Sequence, residues 1–284
     1  MKAAAVHLAS AGDPPLETAA ARRYWDGIAT AYQRHTVISC RDLHYGPLIP
    51  GDRALRLLPA ELAGLRCLEV GCGAGQNSIC LARRGARCTA VDLSSRMLGV
   101  GAVLARKHRV QVDFVQADIA ALPFSPRAAF DLVHSAYALP FVPDPQECIR
   151  SMAAVLRPGG TLILSTAHPL ATGEWLDVDG EPGVFLPDYF HPPTDQRGSR
   201  ATGAVCRPVP LSTVFAWLTA AGLRVEDLRE PAALPVGEFT PAQRRARVPY
   251  WSRAWLGLAA RFACVPVVAI FKAVRPPVDG PRQA

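Results

Sequence analysis

Residues 66–75, Arg66-Cys67-Leu68-Glu69-Val70-Gly71-Cys72-Gly73-Ala74-Gly75, decide the fold. Cys67–Val70 is a short apolar run of strand type, and three glycines follow at alternate positions. A turn of that composition lets the backbone approach a ligand where a Cβ would clash. A helix starting behind it presents unpaired N–H groups to the same ligand. The turn alone is a weak signal. A dinucleotide fingerprint wants a third glycine three places after its second, and Gln76 stands there instead.

Working outward, strands and helices alternate. A helix is expected over 76–84, a strand over 86–91 ending at Asp92, and a helix over 95–107. Further strands are expected over 111–116, 130–135 and 161–166, with a helix over 145–156. This alternation predicts a parallel sheet with helices on both faces. Upstream, 16–34 reads as a helix carrying Tyr24, Trp25, Ile28 and Tyr32 at helical spacing. Residues 40–50 read as a loop and 51–63 as a second short helix. Downstream of 167 the alternation stops, and 168–210 reads as an irregular insertion rich in Pro, Gly, Asp and aromatics. A helix over 211–221, a strand over 223–229, a helix over 250–262 and a strand over 265–274 complete the chain. The expected organisation is a tail and helical lid (1–63), a ligand-binding core (64–167), a cap (168–210), and a C-terminal part of the core with a helical insertion (211–284).

The ends of successive strands carry the chemistry. Asp92 lies 17 residues after Gly75. A carboxylate at that strand end takes both hydroxyls of a ribose. Asp118, within Gln116-Ala117-Asp118-Ile119, is placed to accept from an adenine amino group, with Ile119 against the ring. Each alone reads equally as an ordinary loop carboxylate. Leu156-Arg157-Pro158-Gly159-Gly160 makes a helix stop and a turn into the next strand.

As a set, Leu68–Gly75, Val91-Asp92-Leu93-Ser94, Ala117-Asp118-Ile119, Phe130-Asp131-Leu132-Val133 and Leu156–Gly160 resemble the class I S-adenosylmethionine (SAM) dependent methyltransferases, especially their small-molecule, natural-product branch. The resemblance spans roughly residues 64–166. It implies an α/β, Rossmann-like seven-stranded sheet whose last strand is antiparallel, inserted between strands five and six. It implies that Glu69 orients the turn and that Gly71, Cys72 and Gly73 pass the methionine part of SAM. Asp92 would bind ribose, and Leu93, Met97, Asp118 and Ile119 would surround adenine. The backbone at Ser135 and Ala136 would face the amino-acid end, and Tyr24, Trp25 and Tyr32 would form a lid. No metal is implied.

The methyl acceptor is less legible. Methylases of exocyclic base amines carry Asn/Asp-Pro-Pro-Tyr/Phe after the fourth strand; here that place reads His134-Ser135-Ala136-Tyr137. A nucleic-acid acceptor is therefore disfavoured. A small, flat or lipophilic acceptor, such as a secondary metabolite, is expected against aromatic residues of the cap and fourth strand, namely Trp175, Phe185, Tyr189, Phe190, Tyr137 and Phe141. Those aromatics read equally as the cap's own core. Candidate acid/base or positioning groups are His168, Tyr137, His44 and His134, with His168 as the base and Tyr137 positioning the substrate. Structural roles for the histidines stand beside these. Whether N, O or C is methylated stays open. A SAM-dependent cyclase of a prenyl or polyene chain is the alternative activity, and an RNA or DNA methyltransferase another.

Bulk properties agree with a folded enzyme. Half of the 284 residues are hydrophobic and 19% charged, enough for a sizeable core. The net charge of +7 comes mostly from scattered arginines, and the densest patch, Arg244-Arg245-Ala246-Arg247, is short. Eight cysteines show no CxxC spacing, so free thiols in a reducing, cytoplasmic setting are expected. The apolar stretch 254–271 holds Arg261 and Pro266, which makes a membrane span a poor reading. That stretch and the N-terminal segment either complete a monomer core or pack on a second subunit.

Overall fold

The computed structural model describes residues 6–8, 16–125, 130–199 and 201–277. Its main sheet has eight strands: β1 (Val6–Leu8), β3 (Arg66–Val70), β4 (Arg87–Asp92), β5 (Val112–Gln116), β6 (Phe130–Ala136), β7 (Leu156–Ala167), β12 (Arg224–Arg229) and β14 (Val268–Val274). Their order is β1-β5-β4-β3-β6-β7-β14-β12. The first six are mutually parallel, and β14 runs antiparallel to both β7 and β12. Beyond the three-residue edge strand β1, this is the seven-stranded sheet with an antiparallel last strand that the sequence predicts.

Burial explains why the central strands are near-continuous apolar runs. Leu68, Val70, Leu162, Ile163 and Leu164 have essentially no exposed surface, as a sheet covered on both faces requires. Alternation divides them between two cores. Cys67, Leu132 and Ile163 join Ile79, Leu98 and Phe114 on one face; Leu68, Val133 and Leu164 join Ile149, Met152 and Leu218 on the other. Each fully buried side chain of this size contributes about 1.5–3 kcal/mol. Helices α3 (Gln76–Ala82) and α4 (Ser95–His108) cover the first face, and α5 (Pro145–Val155) and α6 (Leu211–Ala220) the second. Local signals start them. Ser94 caps α4 by accepting from the Met97 N–H at 3.1 Å. Asp144 caps α5 from the Glu147 N–H at 2.9 Å, with Pro145 at the first helical position.

Phe114 ties the glycine turn to its surroundings. A Cβ on Gly75 or on Gly101 would sit 2.7 Å from the Phe114 ring. Glycine at both places lets the turn and α4 close on that ring.

Four segments differ from the sequence reading. In 51–63 only α2 (Asp52–Leu55) is helical, because the Asp52 carboxylate turns the chain by accepting from the Leu57 and Leu58 N–H groups and the Tyr45 hydroxyl. The 168–210 segment is not irregular. It forms two hairpins, β8 (Glu174–Val178) with β9 (Glu181–Phe185), and β10 (Asp195–Gly198) with β11 (Gly203–Cys206). The single helix expected over 250–262 opens as strand β13 (Tyr250–Ser252), which pairs with β2 (Thr36–Ile38) directly after lid helix α1 (Leu16–His35). Two one-turn helices follow, α8 (Arg253–Leu256) and α9 (Ala259–Phe262), separated at Gly257, while α7 (Pro241–Arg247) precedes them. The N-terminal tail contributes Val6–Leu8 to the sheet edge, and the rest of 1–15 lies outside the described residues.

Seven of the eight cysteines are buried and free. Among the described residues no helix is long and apolar enough to cross a membrane.

Candidate active site

Strand β3 delivers the turn, and backbone bonds fix it. The Gly71 and Cys72 N–H groups both donate to the Val91 carbonyl at 2.9 Å, and the Gly75 N–H donates to the Cys72 carbonyl at 2.8 Å. Gly71, Gly73 and Gly75 all have positive φ, which a side chain would strain. A Cβ on Gly71 would meet the Ala138 Cβ at 2.3 Å, whereas one on Gly73 would point into open space. That open space is a cavity of about 1110 Å³.

Carboxylates surround the turn. Asp92 accepts the Gly73 N–H at 2.7 Å and the Ser94 N–H at 2.9 Å, each on a different oxygen. Its burial raises its pKa, against the pull of those two donors. Glu69 is fully buried and accepts from both the Ser78 N–H (2.8 Å) and its hydroxyl (2.6 Å). Burial pushes Glu69 up to about 7. Glu69 thereby clamps the start of α3 under the turn. Asp118 caps its own loop from the Ala120 N–H at 2.9 Å, and both Asp118 and Ile119 line the cavity.

Helix α1 closes this inner cavity from above. Asp26 accepts from the Ser94 hydroxyl at 2.6 Å and from the Arg96 N–H at 3.2 Å, joining the lid to the start of α4. Gln33 accepts from Gln76 at 2.7 Å. The Tyr32 and Tyr250 hydroxyls meet at 2.6 Å. Trp25 packs edge-on against Tyr24, Tyr32 and Phe141.

A second, outer cavity of about 1920 Å³ shares part of its wall with the inner one. Five residues border both: Trp25, Tyr32, Tyr137, Arg197 and Tyr250. They stand between the two. Tyr137 adopts φ +63°, held there by its N–H bond to the Ser165 carbonyl at 3.0 Å. Arg197 lies 4.7 Å over the Phe141 ring and bonds Asp195 at 3.1 Å.

The expected site residues distribute unevenly over this geometry. Tyr32, Glu69, Gly71, Cys72, Gly73, Asp92, Leu93, Met97, Asp118 and Ile119 all line the inner cavity, as do His44 and Tyr137. Tyr24 borders only the outer cavity. Ser135 lines neither; its neighbour Ala136 faces the inner space while the Ser135 hydroxyl is buried. His168 also lines neither. Its Nε2 bonds Glu230 at 2.7 Å and its Nδ1 accepts from the Leu170 N–H at 3.1 Å, so both ring nitrogens are committed to holding the 169–172 turn. In this geometry its ring faces Glu230 and the 169–172 turn rather than either cavity. His134 is sealed inside β6 with neither nitrogen partnered, and burial and neighbouring His44 depress its pKa to about 3. Among the described residues, His44 is the one histidine lining the inner cavity. It stands edge-on to Tyr250 at 5.0 Å with its Nδ1 unpartnered, and burial lowers its pKa to about 3.

The cap aromatics also move. Trp175, Phe185, Tyr189 and Phe190 line neither cavity, and Phe185 and Phe190 are 53% and 74% exposed. The walls come instead from α1, the β10–β11 hairpin and residues 250–262. Gln33, Arg197, Tyr250 and Trp255 went unread in the sequence. None belongs to a local motif, and each reaches the site through a long-range pairing.

The family model for the methyltransferase domain matches residues 68–164. A ubiquinone biosynthesis O-methyltransferase of Xanthomonas axonopodis pv. citri is 34% identical over 212 residues, covering 74% of this chain and 79% of that protein. The chain belongs to the class I SAM-dependent methyltransferase family. The Xanthomonas euvesicatoria pv. vesicatoria protein of the same description is 36% identical over 59% of this chain. The match spans 66% of that relative's length. A SAM-dependent methyltransferase of solved structure from Mesorhizobium loti superposes with a TM-score of 0.60 at 26% identity, over 78% of this chain and 96% of that one. A family methyl donor fits the inner cavity on the chain's own features. Gly73 leaves open the space a Cβ would fill, and Asp92 keeps a half-buried carboxylate at its edge.

Proposed function

We propose that this methyltransferase moves the methyl group of SAM to a hydroxyl oxygen of a small lipophilic acceptor, of secondary-metabolite type, seated in the outer cavity. The observation that carries this reading is a shared wall. Trp25, Tyr32, Tyr137, Arg197 and Tyr250 border both the turn-built donor cavity and a larger one, and we read them as a throat between the two. The relatives described as O-methyltransferases support oxygen as the accepting atom.

Asp92 would hold the ribose, Glu69 and the Gly71–Gly73 backbone the methionine part, and Leu93, Met97, Asp118 and Ile119 the adenine. SAM supplies an electrophilic methyl group on a sulfonium. The chain's own contribution is alignment and exclusion of water by the α1 lid, which lowers the barrier chiefly through positioning. Tyr137 and Tyr250 orient the acceptor at the throat.

His44, which lines the inner cavity and stands edge-on to Tyr250 of the throat, takes the place of His168 as the group that receives the acceptor's proton. With a pKa of about 3, its imidazole is neutral across the physiological range and acts as a hydrogen-bond acceptor. An oxygen that has just gained a methyl group while keeping its proton is a far stronger acid than even this imidazolium. Proton transfer to His44 is therefore downhill once the O–CH3 bond forms.

The test is transfer of label from methyl-tritiated SAM to lipophilic phenols, with product masses read in parallel. O-methylated products with equimolar S-adenosylhomocysteine (SAH) are expected. Isomerised acceptors carrying no new methyl group would overturn the reading in favour of cyclisation.

A further inference from the structure

The outer cavity has a charge asymmetry that its aromatic walls do not explain. Three arginines border it, Arg197, Arg253 and Arg261, and Asp195 is the one carboxylate among its lining residues. Asp195 is taken by Arg197. Arg253 and Arg261 have no ion pair among the described residues.

Arg261 is held in place without being neutralised. One of its terminal nitrogens donates to the carbonyls of Ala171, at 2.8 Å, and Gly173. Its Nε is buried with no partner. The guanidinium carbon lies 5.8 Å from the centre of the Phe262 ring. Burial lowers its pKa, the mark of a cation short of counter-charge. With Nη2 committed to carbonyls and Nε sealed, Nη1 is the nitrogen left to meet an oxyanion, held in place by the other two.

We infer that the acceptor carries an oxyanion group, such as a carboxylate, which Arg261 and Arg253 bind at the outer end of the cavity while its aromatic or lipophilic body lies against Tyr24, Trp255 and Phe262. This rests on the reading of the outer cavity as the acceptor site. The opposite end of such a molecule reaches the throat at Tyr137. The two arginines therefore select acceptors by charge and set which end faces the methyl donor.

The test uses two fluorescent probes of similar shape, anionic 1-anilinonaphthalene-8-sulfonate and neutral N-phenyl-1-naphthylamine, titrated into SAH-saturated protein. The wild type is expected to favour the sulfonate by on the order of tenfold, the scale of one charge-assisted hydrogen bond. Arg253→Gln and Arg261→Gln should each shrink that preference, and the double variant should abolish it with neutral-probe affinity unchanged. Arg261→Lys, which keeps the charge, should retain most of it even if the glutamine variant folds poorly. Arg245→Gln, on exposed α7, should leave both affinities as they are. Equal affinity for the two probes in the wild type, or a sulfonate preference that survives the double variant, overturns the inference. SAH affinity measured on the same samples separates this failure from that of the donor site. A chain that does not bind SAH contradicts the proposed function, whereas one that binds SAH without charge preference contradicts only the acceptor assignment.

Discussion

The two cavities are built by different means. The inner one is carved from the carboxyl ends of β3, β4, β5 and β6, and its polar groups are locked by backbone bonds such as those of Asp92 to Gly73 and Ser94. The outer one is assembled from α1, the β10–β11 hairpin and residues 250–262, which meet through the β2–β13 pairing and the Tyr32–Tyr250 contact. A rigid sheet edge suits a constant ligand. Walls contributed by long connections can change without disturbing the sheet.

If the contrast is right, damage to the inner cavity should act on the donor and damage to the outer cavity on the acceptor. The largest effect is expected at the turn. Gly71→Val places a side chain against Ala138 at a positive φ, and should lower SAH affinity by on the order of a hundredfold or more. Calorimetric titration reads this directly.

Glu69 gives a pH signature confined to the inner side. Its folded pKa of about 7 lies above the ordinary carboxylate value of 4.5. Its contribution to stability is therefore fully present below about pH 4.5 and is lost as pH rises through 7. The loss amounts to ~3 kcal/mol at most, at 1.36 kcal/mol per pKa unit. Urea unfolding of the ligand-free protein between pH 5 and 8 should show this decline, and Glu69→Gln should flatten it. An equally steep decline in the variant would assign the effect elsewhere.

His168 sharpens the contrast by belonging to neither cavity. His168→Gln should cost about 1–2 kcal/mol of stability through the lost Glu230 and Leu170 bonds. Turnover per folded molecule should change by no more than about twofold. A variant that folds, binds SAH and fails to turn over would restore His168 as the base. The smallest expected effect is at the lid. Tyr32→Phe removes one hydroxyl contact worth about 1 kcal/mol, so SAH should leave roughly fivefold faster in stopped-flow displacement.

The same contrast governs what the sequence discloses. The inner cavity is legible because its residues lie at the ends of strands in chain order, where a turn such as Gly71–Gly75 and a carboxylate such as Asp92 have fixed spacing. The sheet is legible for the same reason, since each central strand reads as a local apolar run. The outer cavity is not. Arg197 sits in a hairpin whose composition resembles a loop, and Tyr250 reaches the throat only because β13 pairs with β2 far away in the chain. Aromatic content misleads there. Phe185 and Phe190 are exposed on a segment away from the cavity, while Trp255 and Phe262, from a stretch read as one helix, form its wall. His168 shows the same limit. Its place after the fifth strand suggests a base, but the carboxylate that claims its ring comes from Glu230, 62 residues on.

The central claim is that the Gly71–Gly75 turn and Asp92 together hold the methyl donor. Calorimetry of SAH binding to the wild type and to Asp92→Ala tests it most directly. The wild type should bind at one site. The variant should bind on the order of a hundredfold more weakly, the loss expected for two charge-assisted hydrogen bonds to ribose. Unchanged affinity in a folded Asp92→Ala protein would contradict the account.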